Sequence, residues 1–289
     1  MNYQIRNDKL EVSVMARGAQ MCSVQDACKK EYLWQPDEQI WADQAPTLFP
    51  YVGRLHNQTY TYKKKEYTMG IHGFAMDYEF VCQNIRDDYL VCVIENTEET
   101  RKIYPFSFQF EVHYELIDST IRVKYVIKNK DNKAMYFGVG GHPGFKVPLG
   151  EGERFEDYYL HFPKAQSSQQ IWMTDTGYVL EGKDHFALKE GNILPLRHQL
   201  FDQDAIVLTE TGQEVELCGP AGTVLTVRYP DMPYLGLWHR PKTEAEYVCI
   251  EPWSSLPARY ETIEALEEKQ DLICLEAGEV YCNTWEIIL

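Results

Sequence analysis

The feature that most limits the fold of this chain is a recurrent run of alternating or β-branched and aromatic residues, each run closed by a turn signal. Such runs occupy 10–14, 89–94, 108–114, 120–126, 205–208, 222–227 and 284–288, with Phe108-Gln109-Phe110-Glu111-Val112-His113-Tyr114 the clearest alternation. Successive side chains on a strand face opposite ways, so these runs suit sheets with one face packed and one wet. Asn57-Gln58, Asp87-Asp88, Asp118-Ser119, Asn129 to Asn132 and Gly219 to Gly222 supply the turns between strands. The pattern predicts an all-β fold, a large antiparallel β-sandwich with few short helices. Residues 1–289 are expected to form a single domain, since no Ser/Gly-rich or Pro-rich linker interrupts them. Ile263 to Lys269 is the best candidate helix. No repeat at a spacing of about 20–50 residues suggests a propeller or solenoid.

Charge removes several partners. Asp and Glu outnumber Lys and Arg by 44 to 28, giving a formal charge of −16. No basic stripe stands out, and Lys63-Lys64-Lys65 reads as a solvated hairpin tip. Nucleic acid and anionic membrane are therefore not expected as partners. No basic start followed by an apolar run opens the sequence, and no apolar span reaches 18 residues, so a cytoplasmic location is expected. Monomer and homodimer both stay open. The eight cysteines contain no Cys-x-x-Cys pair and no histidine cluster accompanies them. Neither a metal site nor a disulfide framework is indicated, and most of the cysteines are expected to be small buried hydrophobes.

Three stretches carry candidate chemistry. Gly138-Val139-Gly140-Gly141-His142-Pro143-Gly144-Phe145 surrounds a histidine with glycines and a stiff proline, which suits an imidazole that a ligand can approach. A tight buried loop whose histidine bonds a carbonyl is the plainer reading. Ile71-His72-Gly73-Phe74 and Cys249-Ile250-Glu251-Pro252-Trp253 each set one titratable side chain beside an aromatic and a chain-breaking residue. Serine-elbow, phosphate-loop and dinucleotide motifs do not occur, which leaves acid/base work at histidines and a glutamate. An apolar wall at Trp253 is expected to raise the glutamate's pKa, and an aromatic beside a carboxylate suits a sugar. His113, His161, His185, His198 and His239 read as strand or surface residues.

Taken together, Gly53-Arg54, His72-Gly73-Phe74-Ala75, Gly140-Gly141-His142-Pro143-Gly144-Phe145 and Cys249-Ile250-Glu251-Pro252-Trp253 resemble the aldose 1-epimerase (galactose mutarotase) superfamily, in particular its bacterial lactose-operon mutarotase-like branch. The order and spacing fit from about Leu10 to the end. This resemblance implies a β-supersandwich with one cleft for a small aldose, and no metal or organic cofactor. It also implies an isomerase that interconverts α and β anomers, with His142 as acid at the ring oxygen and Glu251 as base at the anomeric hydroxyl. On the same footing Arg54 and His72 hold the substrate, Asp204 or Asp202 takes a hydroxyl, and Trp238 stacks on the ring. Activity is then expected to fall on the acid side as Glu251 protonates and on the alkaline side as His142 loses its proton.

Typical galactose mutarotases place Asn before the arginine, where this chain has Gly53. His56 is a candidate to fill that gap. Two alternatives to the anomerase follow: a sugar-binding module without catalysis, and a hexose-6-phosphate epimerase. Beyond Arg54 and Lys146 the sequence shows no phosphate-binding cluster, which favours an unphosphorylated aldose.

Overall fold

Alternation decides the larger sheet of the computed structural model, which describes residues 1–289. In Phe108–Ile117, Phe108, Phe110, Val112, Tyr114 and Leu116 are buried while the residues between them are partly wet. This strand pairs antiparallel with Thr120–Asn129 across Asp118-Ser119, where Asp118 turns the chain at φ 53. Seven further strands complete a nine-stranded sheet, which has Thr120–Asn129 and Val280–Ile288 near its middle. A second sheet of eight strands carries Tyr234–Trp238 and Tyr247–Trp253 at its centre. Asn2–Arg6, Leu10–Met15 and Gln20–Asp26 form a smaller sheet beside them.

The two large sheets face each other across an aromatic core. Phe49 packs on Phe110 with ring centroids 4.6 Å apart and on Phe108 at 5.2 Å, and all three are fully buried. Burying one such side chain stabilises the fold by about 1.5–3 kcal/mol. Trp285 of the nine-stranded sheet lies against Gly141 of the other, so closely that a Cβ there would stand 2.7 Å from the indole. Tyr125 donates its hydroxyl to the Gly140 carbonyl at 3.3 Å across the same gap. One core cluster runs from Ile5 to Ile287, so both chain ends pack into it.

Two local expectations fail. Ile263 to Lys269 is not a helix: Thr61 N–H donates to the Glu264 carbonyl and Leu266 N–H donates to the Thr61 carbonyl, which opens the stretch onto a neighbouring strand. Two of its charged residues, Glu264 and Lys269, turn inward. Lys269, 7% exposed, bonds Asp271 at 2.6 Å, lies 3.7 Å from Glu264 and donates to the Pro257 carbonyl at 3.4 Å. The one α-helix is Glu98–Ile103, capped by Thr97 and Thr100. Cysteine spacing also misleads. Cys82 and Cys92 are register partners in a hairpin and form a disulfide, with Cα atoms 4.0 Å apart. Cys218 and Cys249 are buried thiols, whereas Cys28, Cys274 and Cys282 are exposed. No helix is long and apolar enough to cross a membrane.

The Lys269 cluster generates a prediction. Replacing Lys269 with Ala leaves Glu264 and Asp271 without their buried cation. Urea unfolding should show a loss of about 3–5 kcal/mol. A loss under about 1 kcal/mol would mean that solvent already screens these charges.

Candidate functional site

The site is built on the outer face of the eight-stranded sheet. In Tyr247–Trp253, Val248 and Ile250 point into the core between the sheets, so Cys249, Glu251 and Trp253 point the other way. Tyr234–Trp238 alternates likewise: Leu235 and Leu237 enter the core, and Trp238 faces out. Glu251 stands opposite Gly236 on one side. On the other, Gly140 pairs with Trp253 and Gly144 with Cys249, and the two-residue break between these pairings holds His142 beside Glu251. Residues distant in sequence thus become cross-strand neighbours.

The glycines around His142 serve packing more than ligand approach. A Cβ at Gly140 would meet Trp253 at 2.9 Å, and one at Gly144 would meet Trp41 at 2.6 Å. Bulk at these positions would push aromatic walls into the cleft. The cleft itself encloses about 250 Å³ and is lined by His142, Glu251, His72, Arg54, Asp204 and Trp238 among others. All six residues expected from the sequence therefore meet in one cavity.

His142 Nε2 lies 3.2 Å from Glu251 Oε2. The contact is close without hydrogen-bond geometry: His142 Nδ1 and both Glu251 oxygens have no partner. Such buried orphan groups are rare in folded proteins and mark places that a ligand's hydroxyls can satisfy. Glu251 is 1% exposed, and burial drives its pKa well above the ordinary 4.5. Burial drives His142 the other way, to about 3. Burial thus favours the neutral form of both groups.

His72 is fixed by two bonds to one residue. Its N–H donates to the Gly53 carbonyl at 2.8 Å, and its Nδ1 accepts from Gly53 N–H at 3.1 Å. Nδ1 is thus an acceptor, which places the proton of the neutral ring on Nε2. Burial, then the neighbouring His142 and Arg54, hold His72 well below its ordinary pKa. His72 adopts φ 61, a conformation costly for a residue with a side chain and kept here by those two bonds. Gly53, at φ 73, has Pro257 pressed against it, so that a Cβ would stand 2.3 Å from the ring. No side chain fits there. The asparagine of typical galactose mutarotases is excluded by this proline.

Asp204 accepts from Trp238 Nε1 at 2.9 Å, and its pKa is raised, chiefly by burial. Asp204 lines the cleft and Asp202 does not. His56 and Lys146 lie outside it as well, and the His56 ring turns toward Tyr178 at 5.8 Å. Several lining residues were not expected, Trp41 and Arg240 among them. Trp41 stacks on Tyr247 at 5.1 Å and meets Trp238 edge-on at 5.5 Å, closing one wall. Arg240 adds a second guanidinium at the rim. Both sit on connections with no periodic pattern, and Trp41 in a Pro-flanked stretch was the only available signal. His239 is fully buried rather than superficial; it contacts His198 at 3.2 Å and burial lowers its pKa to about 4. Ligand atoms of His142, Cys249 and Glu251 lie within 4.8 Å of one another, close enough to reach one metal ion, although burial keeps the Cys249 thiol well above its ordinary pKa. Sequence spacing could not indicate this trio, because strand pairing creates it.

Known proteins share this architecture. The sequence profile of the aldose 1-epimerase family matches residues 1–287. The plasmid-encoded protein LacX of Lactococcus lactis is 33% identical over 279 residues, 93% of each chain. A galactose mutarotase related enzyme from Lactobacillus acidophilus superposes with a TM-score of 0.92 at 34% identity, covering 100% of this chain and 97% of that one. A galactose mutarotase-like protein from Lactobacillus casei gives 0.94 at 29% identity, covering 100% and 99%.

Burial of Glu251 has a thermodynamic signature. A folded-state pKa above the unfolded value stabilises the chain at low pH, and that contribution is lost as pH rises past about 4.5. Glu251→Gln removes the titration. Melting temperatures at pH 5 and pH 8 should show the variant gaining on the wild type by a few degrees at the higher pH. An equal separation at both pH values would show that Glu251 titrates as an ordinary carboxylate.

Proposed function

The chain belongs to the aldose 1-epimerase family, and on that premise we propose that it interconverts the α and β anomers of an unphosphorylated hexose, using its own side chains as acid and base. The observation that carries this reading is the buried His142 and Glu251 pair, 3.2 Å apart, with unpartnered polar atoms in a cleft of about 250 Å³. A polyhydroxylated ring supplies what those atoms lack.

In its active form the pair holds one proton. Burial favours Glu251 over His142 as its carrier. Sugar hydroxyls that donate to Glu251 Oε1 and Oε2 stabilise the carboxylate, and the proton crosses to His142. Glu251 then takes the proton from the anomeric hydroxyl while His142 gives one to the ring oxygen. The bond from C1 to the ring oxygen breaks and the free aldehyde forms. Rotation about C1–C2 presents the other face, and reversal of the proton transfers closes the ring as the opposite anomer. His72 Nε2–H and Arg54 donate to the sugar, Asp204 accepts from a hydroxyl, and Trp238 offers an aromatic wall. Each positioned acid or base contributes about 10²–10⁴-fold.

Polarimetry on freshly dissolved α-glucose and α-galactose tests the proposal. The wild type should accelerate the approach to equilibrium, and His142→Ala and Glu251→Gln should each lose about 10²-fold or more. Absence of acceleration with every common aldose sinks it, and saturable sugar binding without anomerisation would leave a binding module instead.

The pH profile is a second test, and burial exchanges the two limbs assigned from sequence. The active form of the pair carries one proton in total, so its limbs belong to the pair. kcat/KM should fall on the acid side near pH 3, as His142 gains a second proton. On the alkaline side it should fall as Glu251 loses the only one, well above pH 4.5. An acid limb centred near 4.5 would show Glu251 ionised in the free protein.

A further inference from the structure

Cys249 has no part in the proton transfers, yet it stands on the same strand face as Glu251, two residues before it. It does not line the cleft. Its sulfur lies just behind the wall: a Cβ at Gly144 would stand 2.6 Å from Trp41 and 3.5 Å from Cys249 Sγ, so the bare glycine leaves the sulfur room beside the indole. The thiol is fully buried and has no hydrogen-bond partner, unlike that of Cys218, which stands 3.8 Å from Thr223 Oγ1. Ligand atoms of Cys249, His142 and Glu251 lie within 4.8 Å of one another, and His142 Nε2 is 3.2 Å from Glu251 Oε2. Both Glu251 oxygens are likewise buried without a partner. Sulfur, nitrogen and oxygen lone pairs thus converge on one place, and no protein donor meets them.

Thiolate, imidazole and carboxylate together select a borderline-soft cation such as Zn²⁺ over Mg²⁺ or Ca²⁺, which favour shells of oxygen. Zinc holds nitrogen and oxygen at about 2.0–2.2 Å and sulfur at about 2.3 Å, so its tetrahedral ligands stand about 3.3–3.8 Å apart. His142 and Glu251 are already near that spacing, and the sulfur has at most about 1.5 Å to close. Charge balances as well. Binding releases the thiol proton and the one proton of the catalytic pair, which leaves two anionic ligands and a neutral imidazole around a divalent ion. That complex has no net charge, which suits a site closed to water. Burial keeps the Cys249 thiol protonated in the free protein, so the ion competes there with a proton. The lone pairs of His142 and Glu251 that would hold the metal are the ones that carry protons in the reaction. We propose that His142, Cys249 and Glu251 bind one Zn²⁺ ion, with its fourth position open to the cleft, and that the bound ion silences the anomerase. The metal site stands on the geometry, and the silencing rests on the anomerase reading given above.

The experiment titrates Zn²⁺, with Mg²⁺ as control, into the wild type, Cys249→Ala, and a variant that lacks the exposed thiols, Cys28→Ser with Cys274→Ser and Cys282→Ser. Polarimetry reads activity. Co²⁺ in place of zinc reads the site, because a cobalt to thiolate bond gives a charge-transfer band in the near ultraviolet. Zn²⁺ should inhibit the wild type and the surface-thiol variant alike, and Mg²⁺ should inhibit neither. Cys249→Ala should keep its metal-free activity within about threefold, which also shows that it folds, and should need at least about tenfold more Zn²⁺ for half-inhibition. It should also lose the cobalt band that the other two proteins show. The proposal is overturned if the wild type gives no such band, if the band survives in Cys249→Ala, or if zinc leaves the wild-type rate unchanged or inhibits Cys249→Ala just as strongly. A band that depends on Cys249 in a protein that anomerises no common aldose would uphold the metal site and overturn the anomerase reading, and the silencing with it.

Discussion

The site depends on the antiparallel pairing that sets His142 beside Glu251. Register in a sheet is all or nothing: a slip of one residue sends every side chain to the opposite face. Such a slip would turn Glu251 into the core and bring Ile250 or Pro252 into the cleft. What keeps the register is the core beneath, because Val248, Ile250, Leu235 and Leu237 must stay inside for Glu251 and Trp238 to stay outside. Packing between the sheets and acid/base geometry are therefore consequences of one alignment.

The aromatic walls follow from the same arrangement. Gly236, Gly140 and Gly144 lack side chains where the indoles of Trp253 and Trp41 lie, so the tryptophans settle flat on the sheet and shut water away from the carboxyl. That exclusion favours the neutral form of the pair and leaves its polar atoms unpartnered. The fold gives up some stability at Glu251 to keep a buried carboxyl beside a buried imidazole. Behind this wall, Lys269, Glu264 and Asp271 hold Pro257 against Gly53, and Gly53 holds His72. A charge cluster outside the cleft thus fixes the orientation of a residue that lines it.

Much of the fold was legible where one face of a strand is wet. Phe108–Ile117 and Thr120–Asn129 alternate cleanly and were found nearly to their ends. Tyr247–Trp253 was not recognised as a strand, because all seven residues are buried and no alternation survives. The short helix was also missed, although Thr97 before two glutamates and Arg101-Lys102 at its far end carried both cap and charge signals. The site residues were readable because Gly-His-Pro and Glu-Pro-Trp are short and their residue types distinctive. Trp41 and Arg240 were not, since only folding brings their loops to the cleft. The rise of the Glu251 pKa was legible from the apolar neighbour Trp253, but the fall of the His142 pKa was not, since sequence does not show how deeply the ring is buried.

Glu251 stands on a central strand and His142 in the short break between the two strands that pair with it, whereas Arg54 and Trp41 stand on connections around the cleft. The reactive centre and the surfaces that meet the rest of a ligand therefore answer to different constraints. Loops can be lengthened, shortened or exchanged without disturbing the ladder beneath them. A lineage built on this scaffold can thus drift from one carbohydrate to another while its proton-transfer chemistry stays still.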